Sequence, residues 1–254
     1  MALAKRDKIR ALLKSIETGD PGPAAYVNEA RYIQHNPQTE EGNEGLAELF
    51  KRLSKTNPRV NIVRAFEDGD FVFGHTEYDF ASRKIGFEVF RFEDGQAVEH
   101  WDNIQERRGP NADGHSMVDG PVSATDLEKG EENRETVRAF VETVLIGDDI
   151  DQLGRFLPVG GLIEHNPDLE DGLEPLASAL AVRQDGVRRI DYQRLHRLLA
   201  EGNFVLSVCE GFKDGRHSAF YDLFRLEEDL IVEHWDTVEK IAPQSEWKNG
   251  NGKF

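Results

Sequence analysis

Two sets of three side chains in this chain could move a proton. Glu88, His100 and Asp102 form the first; Asp222, His234 and Asp236 form the second, each 134 positions after its counterpart. Acids and imidazoles held on an apolar surface suit general acid and base work, because burial raises a carboxyl pKa toward neutrality and a neighbouring imidazole tunes it. The competing reading is plainer: a buried acid–histidine couple often only satisfies its own hydrogen bonds. What lifts these residues above that reading is their recurrence.

Glu99-His100-Trp101-Asp102 returns letter for letter as Glu233-His234-Trp235-Asp236. The run Phe87–Phe92 answers Tyr221–Leu226 at the same spacing, Gly69–Val72 answers Gly202–Val205 at 133, and Tyr32–Pro37 answers Leu162–Pro167 at 130. So small a drift confines insertions to loops. A period of about 130 residues is too long for a solenoid repeat and matches a whole domain, which implies one fold written twice. The expected bounds are 1–107 for the first copy, a linker at 108–130 rich in Gly, Asp, Asn and Pro, and 131–254 for the second.

Composition narrows the partners. With a formal net charge of -17 over 254 residues, the chain lacks the basic surface that nucleic acid or an anionic membrane demands. A small hydrophobic or carbonyl-containing ligand is the partner expected instead. Cys209 is the single cysteine, so an intrachain disulfide is excluded and a reducing, cytoplasmic setting is expected. No cofactor is implied. A metal would need three convergent ligands, and although His35, His75 and His100 could supply them, their spacing does not require it and no metal is expected.

The elements that must position these groups follow from periodicity. Ile9, Leu12, Leu13 and Ile16 recur at helical spacing, as do Val137, Phe140, Val141, Val144 and Leu145, with Gly19-Asp20 and Gly147-Asp148 as stops. A further helix is expected over Leu46–Leu53 and over Leu173–Leu180. From there each copy changes to strand patterning, over Val60–Phe66, Phe71–Tyr78, Gly86–Phe92 and Ala97–Ile104 in the first, with counterparts from Tyr192 to Val238. Helices followed by a meander predict an α+β fold with helices packed on one face of a curved antiparallel sheet.

The hairpin between the last two strands decides which side chains share a face. A two-residue Asp94-Gly95 turn places Glu88 opposite Trp101, whereas a three-residue loop with glycine in a bulge places Glu88 opposite His100. The second is preferred, since it gathers Glu88, Phe90, Phe92, Val98, His100 and Asp102 on one face and sets Arg91 beside Glu99 on the other. In the second copy that register gathers Asp222, Phe224, Leu226, Val232, His234 and Asp236, although Asp229 stands where glycine helps the first. It predicts hydrogen bonds from Glu88 to His100 and from Asp222 to His234. Phe73 and His75 alternate on the adjoining strand and are expected to add to the first pocket, where the second has Val208 in place of the histidine. His35, His165, Trp101 and Trp235 are candidate ligand contacts; the plainer alternatives are turn histidines and core tryptophans.

Taken together, Tyr32–Pro37, Glu67–His75, and Phe90–Gly95 leading into Glu99–Asp102, with their second-copy counterparts, resemble the SnoaL-like polyketide cyclases of the nuclear transport factor two-like superfamily. The resemblance covers both halves and stops at the linker and the tail. It implies two cone-shaped α+β barrels in tandem, each with a pocket inside. Members of that family close polyketide rings by aldol condensation without metal or Schiff base, using a pocket aspartate as general acid and base. The resemblance places that role on Asp102 or Asp236, with Glu88 or Asp222 as partner. Glu88 departs from the aspartate that the motif usually has.

The expected function is therefore a cofactor-independent lyase or isomerase acting on a carbonyl compound, with His100 or His234 orienting the aspartate. Its rival is a non-catalytic small-molecule binding or assembly module. The extra histidine, His75, favours the first copy as the more active pocket. Single-copy relatives pair through their sheets, which predicts an intrachain pseudo-dimer through Val89, Trp101, Leu223 and Trp235, and leaves a homodimer of the whole chain open.

Overall fold

The computed structural model describes residues 3–254, with Asn43 described by its backbone alone. Two compact units divide the chain, one made of Met1–Arg107 together with Ala242–Phe254 and the other of Arg108–Ile241. These bounds differ from those expected at both segments of loop composition. The stretch from 108 packs on the second unit, where Arg108 makes a bidentate pair with Asp168 at 2.8 and 2.6 Å and Asn111 donates to the Glu164 carbonyl at 2.7 Å. The tail packs on the first. Lys248 N donates to Pro37 O at 2.8 Å, Asn249 donates to the carbonyls of Asn36 and Thr39, and Asn251 donates to the Gln34 carbonyl at 3.0 Å. Polar side chains in these segments bind the open carbonyls of the His-Asn-Pro stretches, a destination that composition does not reveal.

In the first unit, α1 (Lys5–Thr18) buries Ile9, Leu12, Leu13 and Ile16 along one stripe. It stops at Gly19, whose φ of 70° lets its N–H return to Ser15 O. A short strand β1 (Ile33–Gln34) and helix α2 (Gly42–Ser54) follow. Four long strands complete the unit: β2 (Arg59–Asp68), β3 (Phe71–Asp79), β4 (Arg83–Glu93) and β5 (Gln96–Glu106). Their order in the sheet is β1-β5-β4-β3-β2.

The second unit opens with α3 (Gly130–Phe140), which widens over Val141–Ile146 so that Gly147 N reaches back to Glu142 O. The left-handed residue of the Gly147-Asp148 stop is Asp148, with φ 61°, while Gly147 has φ −71°. After β6 (Ile163–Glu164) and α4 (Leu173–Ala181) comes a small two-stranded ribbon, β7 (Arg183–Gln184) with β8 (Val187–Arg188). The long strands are β9 (Ile190–Glu201), β10 (Phe204–Lys213), β11 (Arg216–Glu227) and β12 (Leu230–Lys240). Their order, β6-β12-β11-β10-β9, repeats that of the first unit. The fold is α+β, and each sheet is mixed, because β1 and β6 run parallel to the strand beside them. Two-residue strands are too short to show a period of two in the sequence.

The hairpin register differs from both expectations. The turn is the two-residue one, Asp94-Gly95, with φ 50° and 80°, and Glu228-Asp229 takes the same left-handed form at 48° and 65°. A register shift then follows between Arg91 and Phe92, and between Arg225 and Leu226. It leaves Val98 and Val232 as the extra residues of β5 and β12, and brings Glu88 opposite Asp102 and Asp222 opposite Asp236. The extra residue restores the parity of the preferred register, so the acids and histidines still share one face. Ala97, not Val98, joins the first core.

Candidate active site

In the second unit, β12 and β11 hold Asp236 directly opposite Asp222, with His234 beside Phe224 one step along. β6 lies on the far side of β12 and sets Glu164 against His234. The imidazole therefore stands between two acids: Nε2 faces Asp222 Oδ1 at 3.1 Å, and Nδ1 faces both Glu164 oxygens at 3.0 and 2.9 Å. Burial opposes the charged form of His234, but Glu164 and Asp222 prevail, so its pKa stands well above the usual histidine value. Glu164 is itself well solvated by protein, since its Oε1 accepts from the backbone N–H groups of His165 and Asn166, each at 2.9 Å. Tyr192 donates its hydroxyl to Asp222 at 3.0 Å. Burial and the Asp222 charge raise its pKa well above the tyrosine norm, so the proton stays in place.

Asp236 is the group left poised. Burial pushes its carboxyl up to about 6; His234 pulls the other way, while Glu164 and Asp222 add to the rise. Asn166 holds its Oδ2 at 2.7 Å. Asn166, Tyr192, Asp222, His234 and Asp236 line a narrow cavity of about 50 Å³, whose other walls include Phe140, Leu145, Leu176, Ile190 and Phe220. A carboxyl that titrates near neutrality in an apolar cavity can take a proton from carbon and return it.

The first unit has the same frame with different neighbours. His100 Nε2 faces Glu88 Oε2 at 2.8 Å, but its Nδ1 faces the neutral amide of Gln34 at 3.1 Å. Tyr78 donates to Glu88 at 2.7 Å and Asn36 to Asp102 at 2.7 Å. Lys253 of the tail is buried with its ammonium 3.5 Å from Asp102 Oδ1. Tyr32, whose ring stacks on His100 at 6.5 Å, keeps a buried hydroxyl without a hydrogen-bond partner among the described residues. Burial and the charges of Glu88 and Asp102 raise its pKa well above the tyrosine norm. Donor atoms of Glu88, His100 and Asp102 lie within 4.8 Å of one another, so this set could hold a cation only after Lys253 withdrew.

Of the expected site residues, Glu88, His100, Asp102, Asp222, His234 and Asp236 share their predicted face, and Phe90 and Phe224 stack on the histidines at 4.3 and 5.0 Å. Both predicted acid–histidine hydrogen bonds are present. Six other residues need correction. His75 pairs with Phe87 in register and Phe73 with Val89, which puts both on the face opposite Glu88; Arg64 Nη1 lies 2.9 Å from His75 Nδ1. The expected parity of β3 against β4 was off by one, and the case for the first pocket goes with His75. Trp101 and Trp235 also point away from the acids, each stacked at 4.6 Å on a histidine, His35 or His165. Those histidines bond Glu99 at 2.9 Å and Glu233 at 2.8 Å, so all four belong to buried structural clusters. His35 and His75 therefore do not converge with His100 as metal ligands.

Sequence reasoning missed Glu164, Gln34, Asn36, Asn166, Tyr78, Tyr192, Lys213 and Lys253. The asparagines and the Gln34/Glu164 position lie in the repeated His-Asn-Pro stretch, where a repeat kept beside the strand that carries the acids is a usable signal. Tyr78 and Tyr192 do the same work from different strands, β3 and β9, so the repeat could not align them.

Neither a family model nor a curated protein matches the chain. Solved structures do. TsrD from Streptomyces laurentii shares 20% identity over 41% of this chain and 91% of its own, with a TM-score of 0.36. IdmH from Streptomyces antibioticus, a proposed polyketide cyclase, shares 16% over 41% and 93%, with a TM-score of 0.37. An LEH-like epoxide hydrolase from M. tuberculosis shares 21% over 44% and 85%, with a TM-score of 0.35. Polyketide cyclases and NTF2-like proteins, the groups that the sequence motifs resemble, are among the matched structures. Among the described residues, no helix is long and apolar enough to cross a membrane.

Proposed function

We propose that the two units are copies of one cone-shaped SnoaL-like domain, and that the second carries the working pocket of a cofactor-independent enzyme. In this reading Asp236 transfers a proton at the carbon alpha to a carbonyl, in an aldol-type cyclisation or an isomerisation. The observation that carries it is the Asp236 carboxyl held at about pKa 6 on the wall of an apolar cavity. As carboxylate it accepts the proton. As carboxylic acid it returns that proton to a second carbon or to the product oxygen, so no external base is needed. His234 stays cationic between Glu164 and Asp222 and is not itself the base; its charge favours the enolate that forms nearby.

The first unit supports a different reading, a binding or assembly module, because Lys253 already neutralises Asp102 from inside the fold. Deuterium exchange separates the two. The protein is incubated in D₂O with a panel of aryl and bicyclic ketones, 2-tetralone among them, and label at the alpha carbon is followed by NMR. Wild type is expected to accelerate exchange, with a rate that rises through pH 6 and then levels. Asp236→Asn should lose on the order of 100-fold and Asp102→Asn little. The opposite pattern moves the chemistry to the first unit; no acceleration by any variant makes the whole chain a binding module.

A further inference from the structure

We infer that the second pocket selects ligands carrying an anionic group, a carboxylate on an otherwise apolar carbonyl compound, and that Lys213 is the residue that binds it. This rests on the reading of that cavity as a ligand site. Lys213 closes the inward row of β10, after Val205, Ser207, Cys209 and Gly211, and its side chain lines the cavity that holds Asp222, His234 and Asp236. It is half-buried, yet among the described residues its ammonium makes no side-chain hydrogen bond and no ion pair. Its basic neighbours behave otherwise. Arg189 pairs with Asp214 at 2.7 Å, Arg108 with Asp168, and Arg183 with Asp148 at 2.6 Å.

A lysine that merely solubilised the strand end would point to water or take one of these acids. Lys213 instead stands on the cavity wall without a hydrogen-bonded acid, in a chain of net charge -17. Such a field repels anions at long range, so an anionic ligand needs a local cation at the mouth, on a water-poor wall where the attraction is strong. The remaining lining is mostly aliphatic and aromatic, which suits an apolar body with a single charged end. Lys213 and Asp236 line the same cavity, and the Lys213 charge reaches the Asp236 carboxyl. A ligand anchored there would present a carbonyl a few atoms from its carboxylate toward Asp236. At the matching place of the repeat the first unit has Phe80, so the preference is specific to the second pocket.

The probes are 4-(naphthalen-2-yl)-4-oxobutanoate and its primary amide, equal in shape and different in charge, titrated into the full chain by calorimetry. Wild type should bind the acid at least about tenfold more tightly, an ion-pair preference of roughly 1.4 kcal/mol. Lys213→Met should abolish the preference by weakening the acid alone, and Lys213→Arg should keep most of it. Equal or tighter binding of the amide by wild type, or a preference that survives Lys213→Met, overturns the role of Lys213 and leaves the pocket reading intact. Failure of both probes to bind overturns the reading of the cavity as an apolar ligand site, and this inference with it.

Discussion

His100 and His234 occupy the same place in two sheets of the same strand order, and the difference between their surroundings is one atom of chemistry. Gln34 gives His100 an amide where Glu164 gives His234 a second carboxylate. In the second unit two acids hold the imidazolium, and the third acid, Asp236, is pushed toward neutrality. In the first, a lysine from the tail of the chain meets the third acid directly. The two units therefore share a frame, while one varied position inside the repeated His-Asn-Pro stretch and one lysine outside it set the charge around each aspartate. A recurring acid–histidine–acid set in a sequence says where a candidate site is, and the charge of its neighbours sets how its acids are held.

The comparison breaks most visibly if the central histidines are removed. His234→Leu leaves Glu164 and Asp222 buried as uncompensated acids, and should cost the second unit about 3–5 kcal/mol in urea unfolding. His100→Leu should cost less, since of the two neighbours only Glu88 is an acid, it keeps its bond from Tyr78, and Gln34 is neutral. Hydrogen exchange along β5 and β12 assigns each loss to its unit. Equal costs would show that Glu164 adds no charge stabilisation beyond what Gln34 provides.

The aspartates should respond with opposite signs. Asp236 has a folded pKa of about 6 against a usual 3.8, so the folded state binds its proton more tightly than the unfolded chain does. The resulting penalty is absent below the unfolded value, grows between it and pH 6, and is complete above, where it amounts to roughly 3 kcal/mol. Asp236→Asn should therefore stabilise the second unit at pH 7.5 by up to about that amount and leave it nearly unchanged at pH 3.5. Asp102→Asn should destabilise the first unit, because it removes the negative charge that faces the buried Lys253 ammonium. Stabilisation by both, at both pH values, would mean that the two acids are equally strained and that the asymmetry is wrong.

This asymmetry is also where the sequence stopped being readable. The helices at Ile9–Ile16 and Val137–Leu145, the long strands, and the face shared by Glu88, His100 and Asp102 all rest on periodicity and on a repeat, which are local signals. His75 was misplaced because one residue of parity in β3 moves a side chain to the other face. Lys253 could not be placed at all: it stands 151 positions from Asp102 in a segment of loop composition, and nothing short of the fold brings them together. Asp229, which stands where the first unit has Gly95, takes the left-handed turn all the same, since aspartate tolerates that conformation at modest cost.

The smallest effect tests the lysine itself. Lys253→Met keeps the length and apolar stem of the side chain and removes only the charge, while the tail stays pinned by Lys248, Asn249 and Asn251 and by the His35 contact to the Gly252 carbonyl at 3.1 Å. Asp102 also keeps its bond from Asn36. The separation of 3.5 Å is long for a hydrogen bond, so the pair is expected to contribute about 1 kcal/mol, well below a close buried ion pair. A double-mutant cycle isolates that contribution: Lys253→Met, Asp102→Asn and the two combined, each measured by urea unfolding at pH 7.5. The combined variant should be more stable than the sum of the single losses predicts, by about that amount, because the attraction between the two charges is counted in both single losses but lost only once. Strict additivity would show that Lys253 packs in the first unit without serving Asp102.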